Sequence, residues 1–171
     1  MHRSVVSQLT SFVLPFTVLL IIPFLILWPG GFRIGWSMGL PWDAVVAAVG
    51  ALVTAIGICG LMICIRLFIN VGKGTLAPWS PTQKLVAIGP YRYMRNPMIS
   101  SVAITLIGET IFFGSLGILI EFVLFVVINH VYFIFSEEPG LEKRFGEDYR
   151  VYKNNVPRWL PRLKPWESPG K

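Results

Sequence analysis

The sequence predicts an all-α integral membrane bundle. Four transmembrane helices, the last two in a tight hairpin, are followed by a C-terminal cytoplasmic amphipathic helix. Three observations predict it. The 171 residues are 54% hydrophobic and 14% charged, against about 25% charged in a soluble domain. Four apolar runs, 9–28, 44–65, 97–113 and 116–135, approach or exceed the roughly 18 residues that a membrane crossing needs. Of the 15 lysines and arginines, only Arg33 falls on one side of such a bundle. The rest share the other side with both termini, which the positive-inside rule makes cytoplasmic. The length allows a single domain over 1–171, with the first two spans in 1–70 and the polar motifs in 71–162.

The first run starts at a basic end, His2-Arg3. It is too long for a signal-peptide core and no small-residue cleavage site follows, so it reads as a retained span. Trp28-Pro29-Gly30-Gly31 reads as an interfacial turn. The second run is rich in small residues, among them Gly50, Thr54, Gly57 and Gly60. Such spacing lets membrane helices approach closely and predicts a central helix, with a dimer interface as the alternative. Cys59 and Cys64 point about 140° apart on a helix, a spacing that favours packing over metal binding.

The third and fourth runs are joined only by Phe113-Gly114-Ser115-Leu116, which forces an antiparallel hairpin. Glu109 and Glu121 each lie six residues from Ser115. Carboxyl groups inside a membrane are functional candidates by default, but so near the turn they read first as structural, capping it or reaching the outer interface. Asn129 and His130 lie two turns before Glu137-Glu138-Pro139, and His130 shares a face with Glu137. Beyond Pro139, Leu141, Phe145, Tyr149 and Tyr152 recur at helical spacing among basic residues. That pattern predicts one amphipathic helix suited to a membrane surface, ended by Asn154-Asn155 and Pro157. The tail Arg158-Trp159-Leu160-Pro161-Arg162 mixes tryptophan with base, and 168–171 reads as frayed.

Gly89-Pro90-Tyr91-Arg92-Tyr93-Met94-Arg95-Asn96-Pro97 opens the third span. The hairpin returns the Glu pair to the same membrane edge. Arginine and asparagine can hold a carboxylate, glutamate an ammonium group or a diol, and tyrosines a flat ring or a cation. A zwitterionic aromatic ligand fits, and S-adenosylmethionine has all these parts. The bland alternative is an anchor of Arg, Tyr and Glu among the headgroups. No phosphate loop, dinucleotide fingerprint, Ser-His-Asp context or metal-ligand spacing is recognisable. The net charge of +6 lies along a membrane face and forms no basic stripe on a soluble domain, so nucleic acid is not an expected partner.

These segments, with Leu85-Val86, Glu137-Glu138-Pro139-Gly140-Leu141, Phe145-Gly146-Glu147-Asp148-Tyr149 and Val156-Pro157-Arg158-Trp159-Leu160-Pro161-Arg162, resemble the isoprenylcysteine carboxyl methyltransferase family, kin of the membrane phospholipid methyltransferases. The match covers about 72–162, and the first two spans carry almost none of it. The resemblance implies an enzyme in which 71–162 binds S-adenosylmethionine and performs catalysis. It assigns the cofactor to Leu85, Val86, Gly89, Tyr91, Arg95, Asn96, Pro97, Glu137, Glu138 and Leu141. Asn96 replaces the family's usual histidine, and Ile99 its usual tyrosine. Arg144 and Arg158 are candidates to hold an anionic acceptor, and His130 to take a proton from an amine. The expected acceptor is a lipid or lipidated molecule, the carboxylate of a prenylated cysteine or a lipid headgroup. The expected location is a bacterial or archaeal plasma membrane. Two other readings stand beside this one: a nicotinamide-dependent sterol-type reductase, and a non-enzymatic lipid-binding protein.

Overall fold

A computed structural model describes residues 13–67, 70 and 85–167. The first residues of the expected first span, positions 71–84 and the tail 168–171 lie outside the described residues. Every regular element among the described residues is a helix, and none of them is a strand. Helix α1 is Val13–Gly30, α2 Trp42–Leu67, α3 Pro97–Phe113, α4 Leu116–Phe145 and α5 Glu147–Asn155. Among the described residues, α1, α2 and α4 are long and apolar enough to cross a membrane, and α3 is a shorter apolar helix. The protein is therefore a membrane protein by helix length and composition.

Helices α2 and α3 form the most extensive pair, and glycine is the reason. A methyl group added at Gly57 would stand 2.6 Å from the Thr105 backbone nitrogen, and one at Gly50 would stand 2.5 Å from that of Phe112. Gly108 lies equally close against Thr54. With no hydrophobic drive between helices in lipid, contact of this closeness supplies the association. Around it Leu27, Leu61, Ile65, Val102, Leu106 and Ile118 form the buried centre of the bundle. The hydroxyls of Ser101, Thr105 and Thr110 each donate to the carbonyl four residues back along α3, so none is left as a bare polar group.

The hairpin turn is as short as its sequence requires. Gly114 ends α3 in the left-handed conformation (φ 60°), the position that favours glycine. Ser115 then caps α4, its hydroxyl accepting from the Ile118 N–H. This corrects the expectation that Glu109 or Glu121 caps the turn. The loop before α2 folds onto the same end: Gly35 N–H donates to Phe112 O at 2.9 Å, and Asp43 accepts from the Trp36, Met38 and Gly39 N–H groups.

Two of the helices widen before a proline. In α1 the widened π turn is Thr17–Ile21, ahead of Pro23; in α4 it is Phe133–Glu137, ahead of Pro139. The Glu138 N–H donates five residues back, to Phe133 O. Proline lacks the N–H of the regular ladder and its ring crowds the preceding turn, and the wider turn makes room for it.

The single amphipathic helix expected after Pro139 is instead two. Gly146 (φ 56°, ψ −128°) breaks it between α4 and α5, a conformation that glycine reaches without a side-chain clash. Its aromatic stripe also faces protein. Tyr149, Tyr152, Val156 and Trp166 are buried together, with Leu85, Leu141 and Phe145 packed on them.

Gly57→Leu is expected to lower stability by about 1–3 kcal/mol through overpacking of α2 against α3, as read from equilibrium unfolding in detergent. Ile58→Leu, one residue on at an exposed site, is expected to change it little.

Candidate functional site

The hairpin brings the start of α3 and the end of α4 to one end of the bundle, and there the charged residues meet. Glu138 is 5% exposed. Its Oε1 accepts from Arg95 Nη1 at 2.9 Å and from Arg158 Nε at 2.7 Å, and Lys153 Nζ stands 3.3 Å from Oε2. Three cations from three segments thus share one carboxylate. A buried carboxylate needs such partners, because the loss of its hydration costs several kcal/mol.

Backbone bonds lace the C-terminal segment to the loop before α3. Arg95 N–H donates to Pro157 O, Arg162 N–H to Tyr93 O, and Trp166 N–H to Arg92 O. The Arg92 side chain returns a bond to Trp166 O at 2.8 Å, and the Tyr152 hydroxyl donates to Tyr91 O at 2.7 Å. Burial raises the Tyr152 phenol above its ordinary pKa and pushes the Tyr149 phenol up to about 12, with the nearby Glu138 carboxylate adding to the second shift. Both stay protonated donors at neutral pH.

The structure gathers the residues expected around a cofactor, in distinct roles. Arg95 and Glu138 touch directly. Asn96 stands at the N-cap of α3, where its carbonyl accepts from Ser100 N–H while its side chain makes no capping bond. Pro97, buried, opens the helix. Val86 and Tyr91 pack with Cys64, and Leu85 and Leu141 pack on the tyrosine cluster. Gly89 adopts φ 56° in the short Gly89–Arg92 turn, close to the Leu67 side chain. Glu137 is half-buried and makes no hydrogen bond or ion pair among the described residues.

The three catalytic candidates separate. Arg158 joins the cluster through Nε, which leaves its two Nη groups without a partner among the described residues. Arg144 is exposed, its guanidinium over the Phe145 ring at 5.7 Å. His130 accepts from Trp159 Nε1 at Nδ1, 3.0 Å away, and stacks on that indole. Its free nitrogen then carries the ring proton in the neutral form.

Sequence reasoning missed Lys153, Tyr149 and Arg162. The first two sat on what reads as a surface helix, and no spacing rule links them to Glu138. Arg162 Nη1 and Arg95 Nε are both buried without a hydrogen-bond partner among the described residues. A buried cationic donor left unsatisfied, such as Arg95 Nε beside Glu138, is an unmet demand for an acceptor.

The profile of the phospholipid methyltransferase family matches residues 45–148. The chain belongs to that family. The matched stretch holds both partners of the Arg95–Glu138 pair and stops short of Arg158. Membership implies a methyltransferase of the membrane that acts on lipid, and it agrees with the kinship read from the motifs, while the match takes in the second span, where the motifs gave almost no family signal. A relative from Haemophilus influenzae, described only as an uncharacterized protein, is 33% identical over 63 residues, which is 37% of this chain and the whole of that relative. No solved structure matches.

Glu138→Gln is expected to destabilise this methyltransferase by about 3 kcal/mol, since it strands buried cations. Arg150→Ala, which breaks pairs with Glu142 and Glu147 on a 60% exposed side chain, is expected to stay within about 1 kcal/mol. Detergent unfolding curves of the two variants check the contrast.

Proposed function

We propose that the protein transfers the methyl group of S-adenosylmethionine to an amphiphilic lipid acceptor at the cytoplasmic face of the membrane. The observation that carries this reading is the junction of Arg95, Arg158 and Lys153 on Glu138, with an unsatisfied donor on Arg95 and an unpaired Glu137 beside it. The donor set fits the cofactor. Arg95 Nε and the Asn96 amide suit its carboxylate, and Glu137 suits its ammonium group or ribose diol. Bound there, the cofactor would supply an activated sulfonium methyl.

The chain's own residues then bind, orient and exclude water. Glu138 holds Arg95 and Arg158 in fixed positions. In this reading its part is to position those arginines, and the direct grip on the cofactor passes to Glu137. The Nη groups of Arg158 face the acceptor's anionic part, a phosphate in a phospholipid or a carboxylate in a prenylated cysteine. Arg144 stands at the exposed rim, where a headgroup arrives. His130, with Nδ1 taken by Trp159, holds that indole in place and is a poor base. The family's lipid chemistry favours a headgroup acceptor among the two.

The membrane arrangement proposed is four spans, with α3 as the short one and both termini cytoplasmic. The support is the crowding of lysine and arginine at the end where α3 begins and α4 finishes. Cysteines introduced at the exposed positions Leu163 and Leu40 test it. An impermeant maleimide added to intact cells is expected to label the second and spare the first, and the reverse pattern would overturn the orientation.

Glu137→Gln is expected to weaken S-adenosylmethionine binding by about 1–3 kcal/mol, the loss of one charge-assisted bond. Unchanged affinity in the folded variant would remove Glu137 from the site. Radiolabelled methyl from the cofactor is expected to partition with lipid when the purified protein meets a membrane extract. Label found only in small polar products would sink the lipid acceptor.

A further inference from the structure

With the aromatic stripe of α4 and α5 packed on protein, a different stretch is left to meet the bilayer. The C-terminal segment is pinned at successive points. Arg158 donates to Glu138, Trp159 docks on α4, and the Arg162 and Trp166 N–H groups donate to Tyr93 O and Arg92 O. Between these pins Leu160 is 78% exposed and Leu163 is 100% exposed. The pins on either side hold both leucines outward.

Depth decides which solvent the two leucines meet. Trp159 Nε1 donates to His130 Nδ1 at 3.0 Å, and its ring centroid lies 5.6 Å from that of Phe133. His130 is fourteen residues along α4 from Leu116 at the hairpin turn, about 21 Å at the helical rise. A hydrocarbon core about 30 Å thick that begins at that turn still encloses it. Nearby on α4, Val127, Ile128 and Val131 are exposed apolar side chains, as befits a lipid-facing surface. The Trp159 ring thus reaches below the polar edge of the membrane, and the Leu160 Cα lies only about 3.8 Å from that of Trp159. Leu163 lies at the same edge, because its neighbouring pins are Tyr93 and Arg92, just ahead of the first turn of α3.

Water at this edge would leave two bare leucines. A soluble partner protein would have to enter the headgroup layer to sit beside Trp159. Lipid covers the leucines with no rearrangement, and tryptophan is at home at that level. Lys164, exposed beside Leu163, can lay its stem along the chains and lift its ammonium group to the phosphates.

We propose that residues 158–164 form an interfacial anchor, with Trp159, Leu160 and Leu163 seated at the boundary of acyl chains and headgroups and Lys164 at the phosphates. The anchor rests on the chain's being a membrane protein and is independent of the methyl-transfer reading.

The test replaces the exposed Cys59 by alanine, leaves the buried Cys64 in place, and adds one cysteine at a time as Leu160→Cys, Leu163→Cys or Glu147→Cys. The Glu147 side chain is 76% exposed and lies past the end of α4, so it serves as the aqueous reference. Each cysteine carries an NBD fluorophore, and the protein without an added cysteine sets the background. In phosphatidylcholine nanodiscs, quenching by a phospholipid with a nitroxide high on its chain is compared with quenching by iodide. The lipid-to-iodide ratio at 160 and 163 is expected to exceed that at 147 by about threefold or more, as for a segment seated roughly 5–10 Å into the boundary. Equal ratios at the three positions would overturn the proposal. Quenching by neither reagent at 160 and 163 would also overturn it, in favour of cover by a protein surface. Should the labelled variants fail to fold, the unaltered protein in nanodiscs that hold a diazirine-bearing phospholipid decides. Photoadducts are expected on 159–163 as well as on the spans, and adducts on the spans with none on 159–163 would contradict the anchor.

Discussion

A single buried carboxylate organises the polar end of this protein. Glu138 receives Arg95 from the start of α3, Lys153 from α5 and Arg158 from the C-terminal segment. Those segments share no helix, and the backbone bonds from Arg95, Arg162 and Trp166 to their partners run along the line that the ion pairs draw. Electrostatics explains the dependence. Once Glu138 is taken out of water, each cation that leaves it exposes an uncompensated charge. The segments are therefore held together by the cost of separating them, and the apolar contacts of Tyr149, Tyr152, Val156 and Trp166 fill in behind.

Helix geometry sets where that carboxylate falls. The widened turn Phe133–Glu137 inserts itself just before Glu138, because Pro139 cannot take part in the ordinary ladder. One consequence is that the paired glutamates have different fates. Glu138 turns into the cluster, whereas Glu137 is left half-buried and unpaired among the described residues. Along the length of the α2–α3 pair, glycines bring the two backbones together, and at the far end the hairpin at Gly114-Ser115 fixes α4 beside them. The bundle's rigidity and the site's charge network are thus built from separate chemistries, small residues for one and a buried ion cluster for the other.

What the sequence made legible follows from this division. Apolar length, small-residue spacing and the short link after Phe113 are local signals, and they gave the helices, a closely packed second span and the hairpin, but not that the second span's partner is the third. The meeting of Arg95 with Glu138 was legible because the hairpin must return both to one edge. The break at Gly146 was not, since the apolar spacing of Leu141, Phe145, Tyr149 and Tyr152 runs through it unchanged. Nor could periodicity say that this stripe packs on Leu85 and Trp166 in place of lipid. Lys153 and Arg162 look like ordinary surface bases on a basic chain, and only the fold shows that one reaches a buried carboxylate and the other buries a donor. Glu109 and Glu121 were visible as oddities, but their role as turn caps was already filled by a serine hydroxyl.

The central claim is that Glu138 acts on the cofactor site through the arginines it holds. A double-mutant cycle with Glu138→Gln and Arg158→Lys, read as S-adenosylmethionine affinity of the purified protein, tests it most directly. The account predicts that the two effects are strongly non-additive, with a coupling of about 1 kcal/mol or more, as for residues in one ion-pair network. Effects that add within experimental error, in variants that remain folded, would contradict it.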